Sequence, residues 1–599
     1  MKRLLLLVLL LGAGLWFACS DPSAPAGPSG AGARRYAFAD ATASSGLGSF
    51  TQVNGGPEKL FVLESFGAGV ALFDAEGDGD MDAYLANATH LEGPLTGETT
   101  RDALYLNDGK GNFTDGTSVA GLGDASWTCG VRTVDLDADG DTELYLTNYG
   151  PNVLYDNVGG GRFVDVTARA GVGDPGWSTG SGFLDLERDG DLDLYVANYL
   201  EFDRARMLAE RPRGTMHGHS QKISSGKALD EIAVMKGPMG LEPSQDRFYR
   251  NNGDGTFRED SVAVGINKEK RFSFQVLTFD QDDDGWVDVM VVNDVVEDLL
   301  WHNEGGERFA EHSLRAGMAV RKDGVTQGGM GGAVGDFDGD LLADLWITNY
   351  VEDYSTLFRG AERGFFSDVT QRVGLHDATW SMVGWGCGFV DFDSDADPEL
   401  FEVNGHVYPQ VDLLDLGTSY KQPNQLWELV NGKFVAVDAG EAFHRPRAGR
   451  GAAVGDVDGD GDMDVLFGNL DEPPTLCLNE SANGNWLKVW LRGAKGNRDA
   501  IGARMVLTAG GKKQLRLVGT GSSFLSSNDP REHFGLGKAE RADELWVKWA
   551  DGREEKFAGL EKGRVYVIED SGSEAASVAM RTRTGFSSMM GLPFARNFS

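Results

Sequence analysis

Cysteine is scarce in this sequence: Cys19, Cys129, Cys387 and Cys477 are the only four in 599 residues. No pair has C-x-x-C spacing, which argues against a disulfide scaffold or a thiolate metal site. Cys129, Cys387 and Cys477 fall in apolar, strand-like segments and read as small buried thiols. Positive charge is also short: 55 Lys and Arg stand against 92 Asp and Glu, a formal net charge of −37. That balance disfavours nucleic acid and anionic lipid as partners and favours cations. Proline is modest at 18 while glycine reaches 83, which suits a β-rich chain with many tight turns. Beyond the first residues no apolar run is long enough to span a membrane. H-E-x-x-H and a Cys/His nucleophile pairing are missing, so no metalloprotease or cysteine-nucleophile signature is present.

What is there begins with an address. Lys2 and Arg3 precede an apolar run from Leu4 to Phe17 that ends at Ala18-Cys19, the pattern of an export signal. It resembles a bacterial lipoprotein signal, in which Cys19 is lipidated and becomes the mature N-terminus. Residues 20–33 form a Pro/Gly/Ser/Ala tether. The expected location is therefore exported, lipid-anchored to the outer membrane or cell surface, or secreted where Cys19 carries no lipid.

Seven copies of an acidic nonapeptide follow, at 74–82, 135–143, 185–193, 280–288, 336–344, 391–399 and 456–464. Thirteen residues after each first Asp stands an asparagine: Asn87, Asn148, Asn198, Asn293, Asn349, Asn404 and Asn469. Five residues before it stands glycine in six copies and Gln275 in the fourth. Glycine-rich apolar strands precede the loops, short strands such as "LYVAN" follow, and hairpins such as "YRNNGDGTF" join two more. A four-stranded unit repeated seven times predicts a seven-bladed β-propeller, with a long β-solenoid as the alternative.

Aspartates at alternate loop positions converge their oxygens on one point, the way a hard cation with six to eight oxygen ligands is held. The candidate ligands are Asp74, Glu76, Asp78, Asp80 and Asp82 in loop one; Asp135, Asp137, Asp139, Asp141 and Glu143 in loop two; and Asp185, Glu187, Asp189, Asp191 and Asp193 in loop three. Loop four offers Asp280, Asp282, Asp284 and Asp288, and loop five Asp336, Asp338, Asp340 and Asp344. Loop six offers Asp391, Asp393, Asp395, Asp397 and Glu399, and loop seven Asp456, Asp458, Asp460, Asp462 and Asp464. Ca²⁺ suits an all-protein oxygen cage better than Mg²⁺, and with no thiolate or imidazole in the loops zinc and copper are disfavoured. Up to seven Ca²⁺ sites are expected. Leu341 and Ala396 replace the turn glycine in loops five and six, which puts those two in question. An EF-hand would need Glu at position 12, where only loop six has one, Glu402, and strand residues follow rather than a helix.

The repeats resemble the FG-GAP/VCBS repeats of integrin α-chain propellers and bacterial surface proteins. Residues 485–568, with "GTGSSFLSSND", "HFGLG" and "ELWVKWADG", resemble an ASPIC/UnbV domain, and the whole resembles bacterial homologues of cartilage acidic protein. The resemblance implies calcium binding and extracellular interaction with a protein or glycan, and no known reaction. The expected organisation is a signal at 1–19, a tether at 20–33, a propeller at 34–482 with an insertion at about 200–246, an ASPIC/UnbV-like β-sandwich or barrel at 483–570, and a disordered tail at 571–599. Two functions stay open: a non-catalytic adhesion or recognition protein, and an enzyme or accessory acting on an extracellular polymer at the propeller's centre. His217 and His219 in the insertion are a weak metal candidate, and Arg498, Arg504, Arg516 and His533 a weak anion candidate, both more simply a solvated loop and structural hydrogen bonds.

A second phrase, as in "RFVDVTARAGV" (162–172), recurs between loops, is absent after loop seven, and appears once before loop one as "AFADATASSGL" (37–47). The N-terminal segment is therefore expected to supply the last blade's missing outer strand, with residues 36–42 beside 475–479.

Overall fold

The computed structural model describes residues 35–92, 100–209, 235, 237–414, 416–481, 483–494, 496–570 and the backbone of 581–583. Seven four-stranded antiparallel sheets succeed one another along the chain. Their inner strands are Val70–Phe73, Trp127–Val134, Ser178–Leu184, Ser273–Phe279, Gly329–Gly335, Gly384–Val390 and Gly449–Gly455. Each runs into its acidic loop and pairs with the strand that leaves it, as Gly449–Gly455 pairs with Asp464–Asn469.

The glycine five residues before six of the loops marks a close approach of neighbouring blades. A Cβ on Gly180 would lie 2.4 Å from Phe274 O, on Gly331 2.1 Å from Trp385 O, and on Gly386 2.8 Å from Arg450 O. Gly451 closes the circle, because its Cβ would meet Ala68 O of the first blade's approach at 2.4 Å. The sheets thus form a closed ring, with an apolar cluster of Val70, Leu72, Ala453, Val457 and Leu466 across the seam between blades one and seven. The β-propeller is the fold, as the repeats imply.

The last blade is completed from the N-terminus. Phe38–Asp40 pairs antiparallel with Thr475–Asn479, in the register Phe38 to Asn479, Ala39 to Leu478 and Asp40 to Cys477. Tyr36 and Phe38 are buried with Phe392, Phe443 and Cys477 between blades six and seven. Such a strand removes an exposed sheet edge and ties the chain's two ends of the ring together. Deleting residues 34–48 is expected to lower the melting temperature sharply or to cause aggregation, although it removes none of the loop acids. Light scattering on heating would check this, and a deletion variant that melts like the parent would overturn it.

The C-terminal region holds two more four-stranded sheets around one core that includes Leu487, Val489, Met505, Leu507, Leu545, Val547 and Ile568. Asn485–Arg492 and Val565–Glu569 run parallel, and the other pairs are antiparallel. Between the strands Lys512–Leu517 and Glu532–Gly537 the chain leaves this core and enters the centre of the ring. There it bonds to the inner strand of every blade. Ser527 exchanges hydrogen bonds with Val70 and Leu72, and the amides of Val131 and Gly332 donate to Leu525 O and Ser523 O. Phe183 N donates to Thr520 Oγ1, Thr278 N to Thr520 O, Cys387 N to Ser523 Oγ, and Asp529 N to Val454 O. Phe524 and Leu525 at the tip are buried against Phe66, Trp127, Trp177, Phe274 and Trp385. The protein's own chain crosses the centre of the ring, where an enzyme reading would place a cleft, leaving beside it a cavity of about 250 Å³ lined by Arg132, Thr278, Asp336, Asp391, Arg516 and His533.

Candidate metal centres

All seven acidic loops fold alike, and each position has its task. In six of the loops the carboxylate at position 1 accepts backbone N–H groups from positions 4 to 6, as Asp280 does from Asp284 and Gly285 and Asp391 from Asp395 and Ala396, while Asp135 in loop two accepts from Arg492. Position 5 caps the amide of position 7 in every loop, as Asp78 caps Asp80 and Asp460 caps Asp462. The acid at position 9 is buried in all seven and staples the loop to the sheet. Asp464 accepts the amides of Val457 and Asn479, and Asp82 those of Ala75 and Asn107. The asparagine thirteen residues on donates to the carbonyl just before the third strand, as Asn404 does to Pro423 and Asn469 to Pro473.

Position 6 has positive φ throughout, from Gly79 (103°) to Gly461 (104°), and Leu341 (67°) and Ala396 (78°) hold the same turn without glycine. Position 4 is left-handed in all seven too, at Gly77, Ala138, Arg188, Asp283, Gly339, Ser394 and Gly459. Sequence reasoning passed over that second bend; glycine in three of seven copies was its signal.

The structure brings the acids at positions 1, 3 and 9 together. Asp135, Asp137 and Glu143 each offer an oxygen within 4.8 Å of the others, and so do Asp280, Asp282 and Asp288; Asp336, Asp338 and Asp344; and Asp391, Asp393 and Glu399. Position 5 is partly spent on its cap. His302, from the strand Leu299–Asn303, joins Asp282 and Asp284 at loop four, so one imidazole reaches a loop that has none in its own sequence. Several buried carboxylate oxygens find no donor: Asp80 Oδ1, Asp135 Oδ1, Glu143 Oε1, Glu187 Oε2, Asp282 Oδ1, Asp393 Oδ1 and Asp462 Oδ1. Burial, with neighbouring carboxylates adding to it, pushes Asp280 up to about 7, Asp80 to about 8 and Asp462 to about 10. Buried acceptors without a donor, set among other converging carboxylates, suit the coordination shell of a hard cation. These groups could hold a metal ion.

Fixed cations border the loops, and no spacing or motif pointed to them. Lys488 Nζ lies 2.5 Å from Asp456 Oδ2, and Arg492 bonds Asp135. Arg250 bonds Glu187, Arg359 spans Asp338 and Asp340, and Arg35 spans Asp393 and Asp395. Asp456 is instructive, because burial would raise it but the Lys488 ammonium holds it below the ordinary carboxylate range. Lys488 is itself fully buried. Asp456→Ala would strand that ammonium without a counter-charge and is expected to cost ~3–5 kcal/mol. Asp340→Ala leaves Arg359 with Asp338 at an exposed site, worth at most ~1 kcal/mol. Denaturant unfolding of the two variants would check the ranking, and equal losses would refute it.

The other candidates resolve into structure. Arg504 donates to Leu341 O, Arg516 to His533 O and Arg498 to Gly493 O. The His533 ring is buried, with Nε2 3.4 Å from Ser394 Oγ. Cys129, Cys387 and Cys477 are free and buried. Cys19, His217 and His219 lie outside the described residues.

Comparison with known proteins agrees with the two parts of the chain. The family described as "ASPIC and UnbV" matches residues 493–575, and the FG-GAP-like repeat matches 74–146 and 135–196. The chain is 27% identical over 279 residues to cartilage acidic protein 1 of Homo sapiens, covering 44% of this chain and 39% of that protein. It is 28% identical over 284 residues to the Xenopus tropicalis protein of that name, covering 44% and 41%. The matches thus span about two fifths of those relatives' length. Among solved structures, an Agrocybe aegerita lectin specific for non-reducing terminal N-acetylglucosamine aligns at TM-score 0.34 and 15% identity, over 67% of this chain and 86% of the lectin. BBS1N from its complex with ARL6DN aligns at TM-score 0.38 and 10% identity, over 75% and 99%.

Proposed function

We propose that this protein is an exported, calcium-binding surface protein that recognises a protein or glycan and performs no reaction of its own. The observation that carries the calcium reading is the set of donorless buried carboxylate oxygens in loops one, two, three, four and seven; in loop six Asp393 Oδ1 alone lacks a donor, and its other oxygen binds Arg35. A cation with six to eight oxygen ligands would satisfy several such oxygens at once. Recognition is the role that the FG-GAP-like repeats and the similarity to cartilage acidic protein 1 favour. A polymer-cleaving site at the ring's centre would need an open channel, and residues 519–530 run through it. Export and a lipid on Cys19 rest on the sequence pattern of residues 1–19.

Glycan and protein arrays probed in Ca²⁺ and again in EDTA test the reading. We expect a ligand that is bound in calcium and released by chelation. Arrays with no binder, or with binding indifferent to EDTA, would count against it.

A further inference from the structure

The geometry assigns the cation places of loops five and six to the protein's own side chains: guanidinium groups stand there in place of a divalent ion. This rests on the calcium reading above and narrows it to the other five loops.

Loops five and six are the two that lack the position-6 glycine. They are also the two in which one guanidinium bridges the acids at positions 3 and 5. In loop five Arg359, on the strand Thr356–Ala361, donates Nε to Asp338 at 2.5 Å and Nη2 to Asp340 at 2.6 Å. In loop six Arg35 donates Nε to Asp393 and Nη2 to Asp395, and Lys512 Nζ lies 2.7 Å from Asp397. The position-9 acid of loop six takes a third donor from the N-terminal segment, Tyr36 OH to Glu399 at 2.9 Å. A planar guanidinium fork matches paired carboxylates in this way, and a metal ion 2.3–2.6 Å from the same oxygens would displace it.

The charges agree. Loop six has five acids and is met by Arg35 and Lys512, together the charge of one Ca²⁺ ion. Loop five has one acid fewer, Leu342 standing at position 7, and is met by Arg359 alone. Proximity of the acids does not separate these loops from the rest, since positions 1, 3 and 9 converge in loops two and four as well. What differs is where the neighbouring cation stands. Arg492 and Lys488 reach only position 1 of loops two and seven, from the C-terminal region's side, and Arg250 reaches only position 3 of loop three. At loop four Lys548 and Arg504 meet Asp283 at position 4, and His302 lies 3.1 Å from Asp288 and 4.0 Å from Asp282, with no guanidinium across positions 3 and 5. The acids of loop one have no ion pair among the described residues. Leu341 N and Ala396 N still donate to the position-1 acids, at 3.0 and 2.8 Å, so the turn holds without glycine. Arg35 sits three residues before the closing strand, so this clamp ties ring closure to blade six independently of calcium.

Equilibrium dialysis of the purified chain against ⁴⁵Ca²⁺ counts the ions. We expect the wild type to saturate at no more than five per chain, Arg359→Met to gain one, and Arg35→Met to gain one. Arg359 lies away from the ring closure, so its variant tests loop five even where Arg35→Met fails to fold, and circular dichroism verifies the fold of each. Six or seven ions on the wild type would overturn the inference while leaving the calcium reading intact. So would an Arg359→Met variant that is folded and binds no more than the wild type. No ion on any of the proteins would sink both.

Discussion

Chelation should lower the melting temperature of this protein by on the order of 10 °C, and Ca²⁺ should restore it where Mg²⁺ does so weakly. A ligand bound only by the folded state adds RT ln(1 + [L]/Kd), about 2.7 kcal/mol per site at a hundredfold excess over Kd. Several loops add together, and a chain of this size shifts only about 1–2 °C per kcal/mol. The effect has a signed pH dependence. With no ion, burial and mutual repulsion hold Asp280 up to about 7 and Asp80 and Asp82 up to about 8. The folded protein then keeps protons that the unfolded chain has released, so its stability falls as pH rises from about 4 through 8. A bound cation removes that penalty. The melting gap between Ca²⁺ and EDTA should therefore widen from pH 5 to pH 8, and calcium should displace protons on binding. Calorimetry at three pH values checks both statements. Coincident melting with and without chelator would remove the calcium reading, and a gap that narrows with pH would show that the loops are not the site.

The repeat carried most of this architecture in plain sight. Seven strand–loop–strand units fix a ring because each unit has one apolar face to bury against the next. The glycine before each loop was visible as a pattern, and the structure supplies its reason in a neighbouring carbonyl 2–3 Å from any added Cβ. Even the closing strand could be placed, since a phrase missing at one end and surplus at the other leaves a single pairing. The loop acids were legible as a set but not in their division of labour. Position 9 looks like any other ligand in sequence, while in the structure both oxygens of Asp82, Asp344 and Asp464 already bind amides.

What stayed hidden is non-local. Lys488 and Arg492 read as ordinary charges in an alternating strand, and nothing near them in sequence names Asp456 or Asp135 as partners. The same holds between blades, where Asn157 donates to Ala75 O, Asn303 to Leu186 O and Asn479 to Phe392 O. "GTGSSFLSSND" was legible only as a motif of the ASPIC/UnbV-like domain, with nothing to say that it enters the ring. Its small and hydroxyl residues make sense only inside the ring, where the backbone must pass close to seven strands and each exposed amide needs a partner.

That passage is tight enough for a single methyl group to test it. Gly521 has φ +84°, and a Cβ there would lie 1.7 Å from Val276 O and 2.9 Å from Val276 C. Both obstacles are backbone of the fourth inner strand, which the ring holds on either side. Gly511, in the turn between Arg504–Ala509 and Lys512–Leu517, has nearly the same φ at +87° but nothing within 4 Å of its Cβ. Alanine at either site meets the left-handed penalty of ~1–2 kcal/mol. Only at Gly521 does it also collide. Gly511→Ala should thus melt slightly below the parent as a single cooperative unit. Gly521→Ala should drive the segment from the ring, breaking the Thr278–Thr520 hydrogen bonds and withdrawing Phe524 from contact with Trp385 and Phe274. Removing a buried phenylalanine's packing alone is worth ~3–5 kcal/mol. We expect Gly521→Ala to aggregate, or to melt far below Gly511→Ala with the 519–530 segment open to protease. If the two alanine variants unfold together, the centre of the ring is not what joins the C-terminal sheets to the propeller.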